Sequence, residues 1–139
     1  MTSIDNIWNP ARSAEIYGVN NWGAGYFSVD HHGRLCVMPA PGDTKRAVCL
    51  PDIVSGLKER GMDMPILLRI ENILSSRISN LNNSFRSAIT ELGYQGSFIG
   101  AYPIKVNQQK QVVEKITRFG SNFHHGLEAG SKAELIAAM

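Results

Sequence analysis

Lys105 closes the apolar run SFIGAYPI, and Asn107, two residues on, turns the chain toward a helix. An amine so placed sits at the carboxyl end of a predicted strand, the end that faces the catalytic mouth in parallel α/β folds. Walled by apolar groups, such an amine is a nucleophile able to form a Schiff base with a carbonyl. A strand-end lysine also commonly points into solvent, and position alone does not separate the two. Glu128 holds the equivalent place on the next predicted strand, in LEAGSKAEL, with Gly130 ahead of a helix cap. Its carboxylate either orients a cofactor, a substrate amine or Lys105, or stands exposed at the strand end. Glu134 follows Ser131 at the S-x-x-E spacing of a capping box, in which the carboxylate accepts from the N–H of the cap residue. A structural role competes there with a functional one.

Other chemistry is less well supported. The histidines come as two adjacent pairs, His31–His32 and His124–His125, and sequence neighbours cannot turn both rings onto one metal as i, i+4 spacing can. The first pair fits a hairpin tip, and the second alternates faces of a strand. Gly23 and Gly25 form a lone GxG with no helix after it, so it reads as a turn. Tyr17, Trp22, Tyr26 and Phe27 read as core aromatics. Cys36 and Cys49 match neither a zinc pattern nor a disulfide framework, and reduced, structural thiols are expected.

The elements that must position Lys105, Glu128 and Glu134 belong to an α/β chain. With 139 residues, 43% hydrophobic and 19% charged, a buried core is within reach and disorder is excluded. A formal charge of +2 is small for a protein that neutralises many phosphates, so no nucleic-acid partner is expected. Apolar stretches such as PILL and SFIGAY are far shorter than the roughly 18 to 20 residues of a membrane span. The N-terminus, MTSIDNIWNPARSAE, shows neither a basic opening nor an apolar h-region, so cytoplasmic residence is expected.

Two segments follow, 1–62 and 63–139, with the change near Gly61 to Pro65. In the first, β-prone runs near 24–29 and 34–38 flank Asp30 to Gly33 as a hairpin. A helix opening at Pro51 carries Ile53, Val54 and Leu57 and stops near Gly61. The second segment alternates. Strands are expected at 66–70, 97–106 and 123–127. Between them lie a long helix with the stripe Leu74, Ile78, Leu81, Phe85, Ala88 or Ile89, and Leu92, and a helix capped by Asn107 with Val112, Val113, Ile116 and Phe119. A last helix starts at Ser131, and its ending LIAAM, without Gly, Pro or a basic residue, looks cut short. Strand–helix alternation means parallel βαβ units.

At YPIKVNQ, residues 102–108, the chain resembles the cofactor-lysine segment of the biosynthetic arginine decarboxylases. IYGVNNWGAGYFSVD, LGYQGSFIGAYPIKVNQQKQVVEKITRFG and GLEAGSKAELIAAM resemble that family in its order and spacing, so nearly the whole chain is covered. The resemblance implies the N-terminal portion of a (β/α)₈ barrel of the alanine racemase type. It is preceded by a β-hairpin segment that would join a C-terminal β-domain. It implies decarboxylation of L-arginine to agmatine and CO₂ in polyamine synthesis, with pyridoxal phosphate and Mg²⁺, by a homo-oligomer when full-length. Lys105 matches the lysine that carries the cofactor, and Glu128 and Glu134 match acidic residues near it, Glu128 standing where ornithine decarboxylases more usually have Asp.

A barrel needs eight strands and typically about 250 residues, so the chain reads as a fragment, inactive by itself. The phosphate-binding loop, the substrate-guanidinium contacts and the magnesium ligands are expected beyond Met139. Pro103 departs from what an interior strand favours, because it lacks a ladder donor. Two alternatives stay open: a decarboxylase of ornithine, lysine or diaminopimelate, and a non-catalytic ligand-binding module.

Overall fold

The computed structural model describes residues 8–139, so the reading of the N-terminus as free of a signal falls partly outside the described residues. The chain divides into a unit ending at Ile70 and a second spanning Glu71–Met139.

The first unit begins with α1, Pro10–Ile16, where Asn9 accepts the Arg12 N–H at 2.8 Å and proline occupies the first turn. A single turn, α2 (Val19–Trp22), leads through Gly23–Gly25 to an antiparallel sheet in the order β1 (Phe27–Val29), β2 (Leu35–Val37), β3 (Val48–Cys49). The β1–β2 turn is built on Asp30. Its Oδ1 accepts the N–H groups of His32 and Arg34, and its Oδ2 accepts from Arg34 Nε at 2.8 Å. Burial pulls the Asp30 carboxyl upward, but these bonds outweigh it and hold the group below its ordinary value. α3 (Leu50–Glu59) places Pro51 and Asp52 in its first turn and Lys58 in its last, which suits the helix dipole.

Two expectations for this unit are corrected. Cys36 and Cys49 are not reduced thiols but are bonded as a disulfide. The β2–β3 register sets them directly opposite each other, a proximity that their separation along the chain does not reveal. Of the aromatic cluster only Tyr26 is buried. Tyr17 is 74% and Trp22 53% exposed, with Trp22 Nε1 donating to the Tyr17 carbonyl at 3.0 Å.

Residues 66–70, expected as a buried strand, carry no regular structure, and Leu67 is 73% exposed. A strand exists only where a neighbour takes its N–H and C=O groups, and no described strand pairs with this run.

In the second unit α4 (Glu71–Glu91) packs against α5 (Lys110–Gly120), and Lys115 Nζ meets Glu71 Oε2 at 2.9 Å. The buried line of α4 runs through Ile78 and Asn82 rather than along the whole apolar stripe. Asn82 satisfies its amide by donating to the Ile78 carbonyl at 2.8 Å, while Leu81 and Phe85 are exposed. Ile116 buries the apolar face of α5.

Between these helices and α6 (Lys132–Ala138) run two parallel strands, β4 (Ala101–Pro103) and β5 (Gly126–Glu128). The expected strand at 97–106 is thus shortened. Pro103 ends it, and Ile104–Val106 forms a 3₁₀ turn. Asn107 does not cap α5 either. Gln109 stands at the cap, and Asn107 Oδ1 accepts the Gln109 N–H at 3.1 Å, because the 3₁₀ turn delays the helix. After Gly120 the chain keeps turning through Ser121–Phe123 and reverses at His124, φ 54°, so β5 starts at Gly126, later than the sequence suggested.

His125 therefore precedes the strand instead of lying in it, and its ring is wedged between Gly100 and Gly120. A Cβ on Gly100 would overlap the ring, and the buried Nδ1 has no partner. Gly100→Ala is expected to cost about 1–3 kcal/mol through overpacking. Gly56→Ala in α3, where nothing lies within 4 Å, should gain roughly 0.5–1 kcal/mol. Thermal midpoints of the complete protein check both. An undisturbed Gly100→Ala variant would show that His125 moves aside freely.

Candidate active site

β4 and β5 end side by side. Their register pairs Ala101 with Gly126, Tyr102 with Leu127 and Pro103 with Glu128, so the strand that leads to Lys105 and the strand that ends in Glu128 open at one edge. In an open α/β sheet that carboxyl edge is where ligands bind.

Lys105 is the middle residue of the 3₁₀ turn. Ile104, 1% exposed, anchors the turn in the core, while Lys105 and Val106, which complete the turn, are exposed. The Tyr102 hydroxyl donates to the Asn107 carbonyl at 3.4 Å and bridges the turn from strand to loop. The turn thus holds its backbone in the core while leaving the Lys105 amine accessible. The apolar wall expected around this amine is not formed by the described residues, since Lys105 is exposed.

Glu134 is brought to the same edge. Ser131 caps α6 as expected, its Oγ accepting the Glu134 N–H at 3.2 Å. The carboxylate departs from the capping box: Oε2 accepts from the Gly130 N–H at 2.6 Å instead of from Ser131. Glu128 Oε1 and Glu134 Oε2 lie 3.4 and 3.5 Å from the point where a Cβ on Gly130 would sit, so no more than about 7 Å separates the two oxygens. The sequence singled out both glutamates but not the main-chain donor between them. Its only signal was the glycine in LEAGS.

No protein-family model matches the chain. The biosynthetic arginine decarboxylase of Synechococcus sp. (strain RCC307) is 45% identical over 132 residues, which is 95% of this chain and 20% of that protein. The biosynthetic arginine decarboxylase of Pelobacter propionicus is 47% identical over 95% of this chain and 21% of that protein. The chain is homologous to these decarboxylases. It spans about a fifth of their length. The crystal structure of the biosynthetic arginine decarboxylase SpeA from Campylobacter jejuni matches with a TM-score of 0.79 at 37% identity, over 88% of this chain and 20% of that one. The mixed α/β architecture described above is thus shared with an arginine decarboxylase of known structure. Among the described residues no helix is long and apolar enough to cross a membrane.

Proposed function

We propose that this chain supplies the cofactor-lysine segment of a pyridoxal-phosphate-dependent arginine decarboxylase that converts L-arginine to agmatine and CO₂. The observation that carries this reading is Lys105 on an anchored, accessible turn at the carboxyl end of β4, beside Glu128 at the end of β5, in a chain 45–47% identical to such enzymes. The β4–α5–β5 unit is read as the opening part of a (β/α)₈ barrel. The antiparallel sheet of the first unit is read as the segment that joins a C-terminal β-domain. A homo-oligomeric holoenzyme, residence in the cytoplasm and a place in polyamine synthesis belong to the same reading and rest on the resemblance to these relatives.

The residues present fit pyridoxal phosphate: an exposed primary amine stands at a strand edge, with two carboxylates close together on the neighbouring strand end and helix. When bound, the cofactor supplies a ring that takes up the electron pair left as CO₂ departs. Lys105 Nζ would hold it covalently, and the buried Ile104 would fix where that amine stands. Glu128 and Glu134 would orient cationic nitrogens at the same edge, as carboxylates do for ammonium groups.

Magnesium does not fit in the same way. Among the described residues one group has metal-ligand spacing, Asp30 with Cys36 and Cys49. It offers a single oxygen-bearing side chain, already bonded to Arg34, and two sulfurs tied in a disulfide, whereas magnesium takes oxygen ligands.

Release of CO₂ from carboxyl-labelled amino acids by the complete enzyme tests the substrate. Arginine should give one agmatine per CO₂, with kcat/KM for ornithine, lysine and diaminopimelate lower by at least about 10²-fold, the scale set by leaving site polar groups unpaired. Preference for one of the other three would move the assignment to that decarboxylase.

A further inference from the structure

The Glu134 carboxylate bonds a main-chain donor other than that of its own helix cap. A carboxylate at this helix position ordinarily turns onto the N–H of its own cap, here Ser131. Instead it passes back over the β5–α6 connection to the Gly130 N–H at 2.6 Å, a short, charge-assisted bond. There its Oε2 and the Glu128 Oε1 are no more than about 7 Å apart, and the hydrogen bond offsets the repulsion between the two like charges.

The usual reasons for glycine do not apply at position 130. Its φ lies outside the left-handed region, and an added Cβ would meet the two carboxylates at ordinary contact distances of 3.4 and 3.5 Å. What position 130 supplies to Glu134 is its N–H, which any residue but proline would carry.

We propose that the main-chain N–H of Gly130 is the positioning group for Glu134, drawing its carboxylate off the helix cap and holding it at the strand edge that Lys105 and Glu128 share. The inference rests on the arginine decarboxylase reading and adds a residue to it. Ser131 assists by capping α6 with its hydroxyl, which fixes the helix turn from which Glu134 departs.

The test uses the complete, cofactor-loaded enzyme. Gly130→Pro removes the donor and Gly130→Ala keeps it. Gly130→Pro should lower kcat by about tenfold or more, the size of one charge-assisted hydrogen bond, with KM changed far less. Gly130→Ala should keep several times the kcat of the proline variant, and hydride trapping of the cofactor on Lys105 should be undiminished in both. Should the proline variant fail to fold, Glu134→Asp decides. It retains the charge but is one methylene too short to reach the Gly130 N–H, and the same drop in kcat is expected. Parental kcat in Gly130→Pro or in Glu134→Asp overturns the proposal, as does an alanine variant as slow as the proline one. A parent enzyme that releases no CO₂ from arginine overturns the functional reading itself, which separates the two failures.

Discussion

Lys105→Ala is expected to abolish arginine decarboxylation in the complete enzyme, with a loss of at least about 10³-fold in kcat, the scale seen when a covalent catalytic group is removed. The expectation follows from where the amine stands. Ile104 fixes the turn in the core, and Lys105 is exposed just past the ends of two in-register parallel strands. Lys110, the next lysine, already lies on α5, beyond the Asn107–Gln109 connection, and its Nζ sits 3.7 Å from Glu114. Borohydride reduction of the loaded enzyme followed by peptide mapping gives an independent readout. The cofactor should be fixed to the peptide that contains Lys105 and should be absent from the alanine variant. Label on any other peptide, or a variant with parental turnover, would remove Lys105 from the reaction. Thermal unfolding should be little changed, because the side chain is exposed and a surface substitution away from special features usually stays within about 0.5 kcal/mol.

Expressed as 139 residues alone, the chain is expected to release no CO₂ from arginine, to bind hydrophobic dyes and to self-associate. The second unit has a parallel sheet of only two strands, whereas such sheets are ordinarily covered on both faces and closed or extended at their edges. Its apolar groups are left in solvent accordingly: Leu92 is 80%, Val106 69% and Ile136 74% exposed. The Phe85 and Phe98 rings stack at 3.8 Å, yet Phe85 remains exposed along the side of α4. Phe85, Ile89, Leu92, Tyr94 and Phe98 line one open apolar groove on α4 and the loop after it, a surface prone to association. Light scattering and dye fluorescence across a concentration series would measure it. A monomer with a sharp thermal transition and arginine-dependent agmatine formation would show that the fold is self-sufficient and that the homology to much longer enzymes misleads about activity.

How far the sequence reaches can be judged on single residues. The helix stripe from Leu74 to Leu92 predicted α4 because a 3.6-residue period is a local property, and Pro51 predicted the start of α3 because proline's fixed φ suits a first turn. Ser131 was legible as a cap for the same reason: the bond it accepts comes from three residues away. Strands were read less well. The run Ile66–Ile70 has the composition of one but forms none, and SFIGAYPI supplies only Ala101–Pro103, since pairing depends on what lies alongside.

By itself the sequence determined an α/β chain, singled out Lys105, Glu128 and Glu134 as candidates for its chemistry, and through YPIKVNQ showed its kinship with arginine decarboxylases. Only the tertiary structure decided which of these meet. The β4–β5 register set Glu128 beside Pro103, the Gly130 N–H drew Glu134 away from its cap, and the β2–β3 register joined Cys36 to Cys49. The physical reason is common to all three. Local spacing encodes bonds within a helical turn, whereas strand register and a carboxylate's choice of donor are settled by the backbone that folding brings alongside.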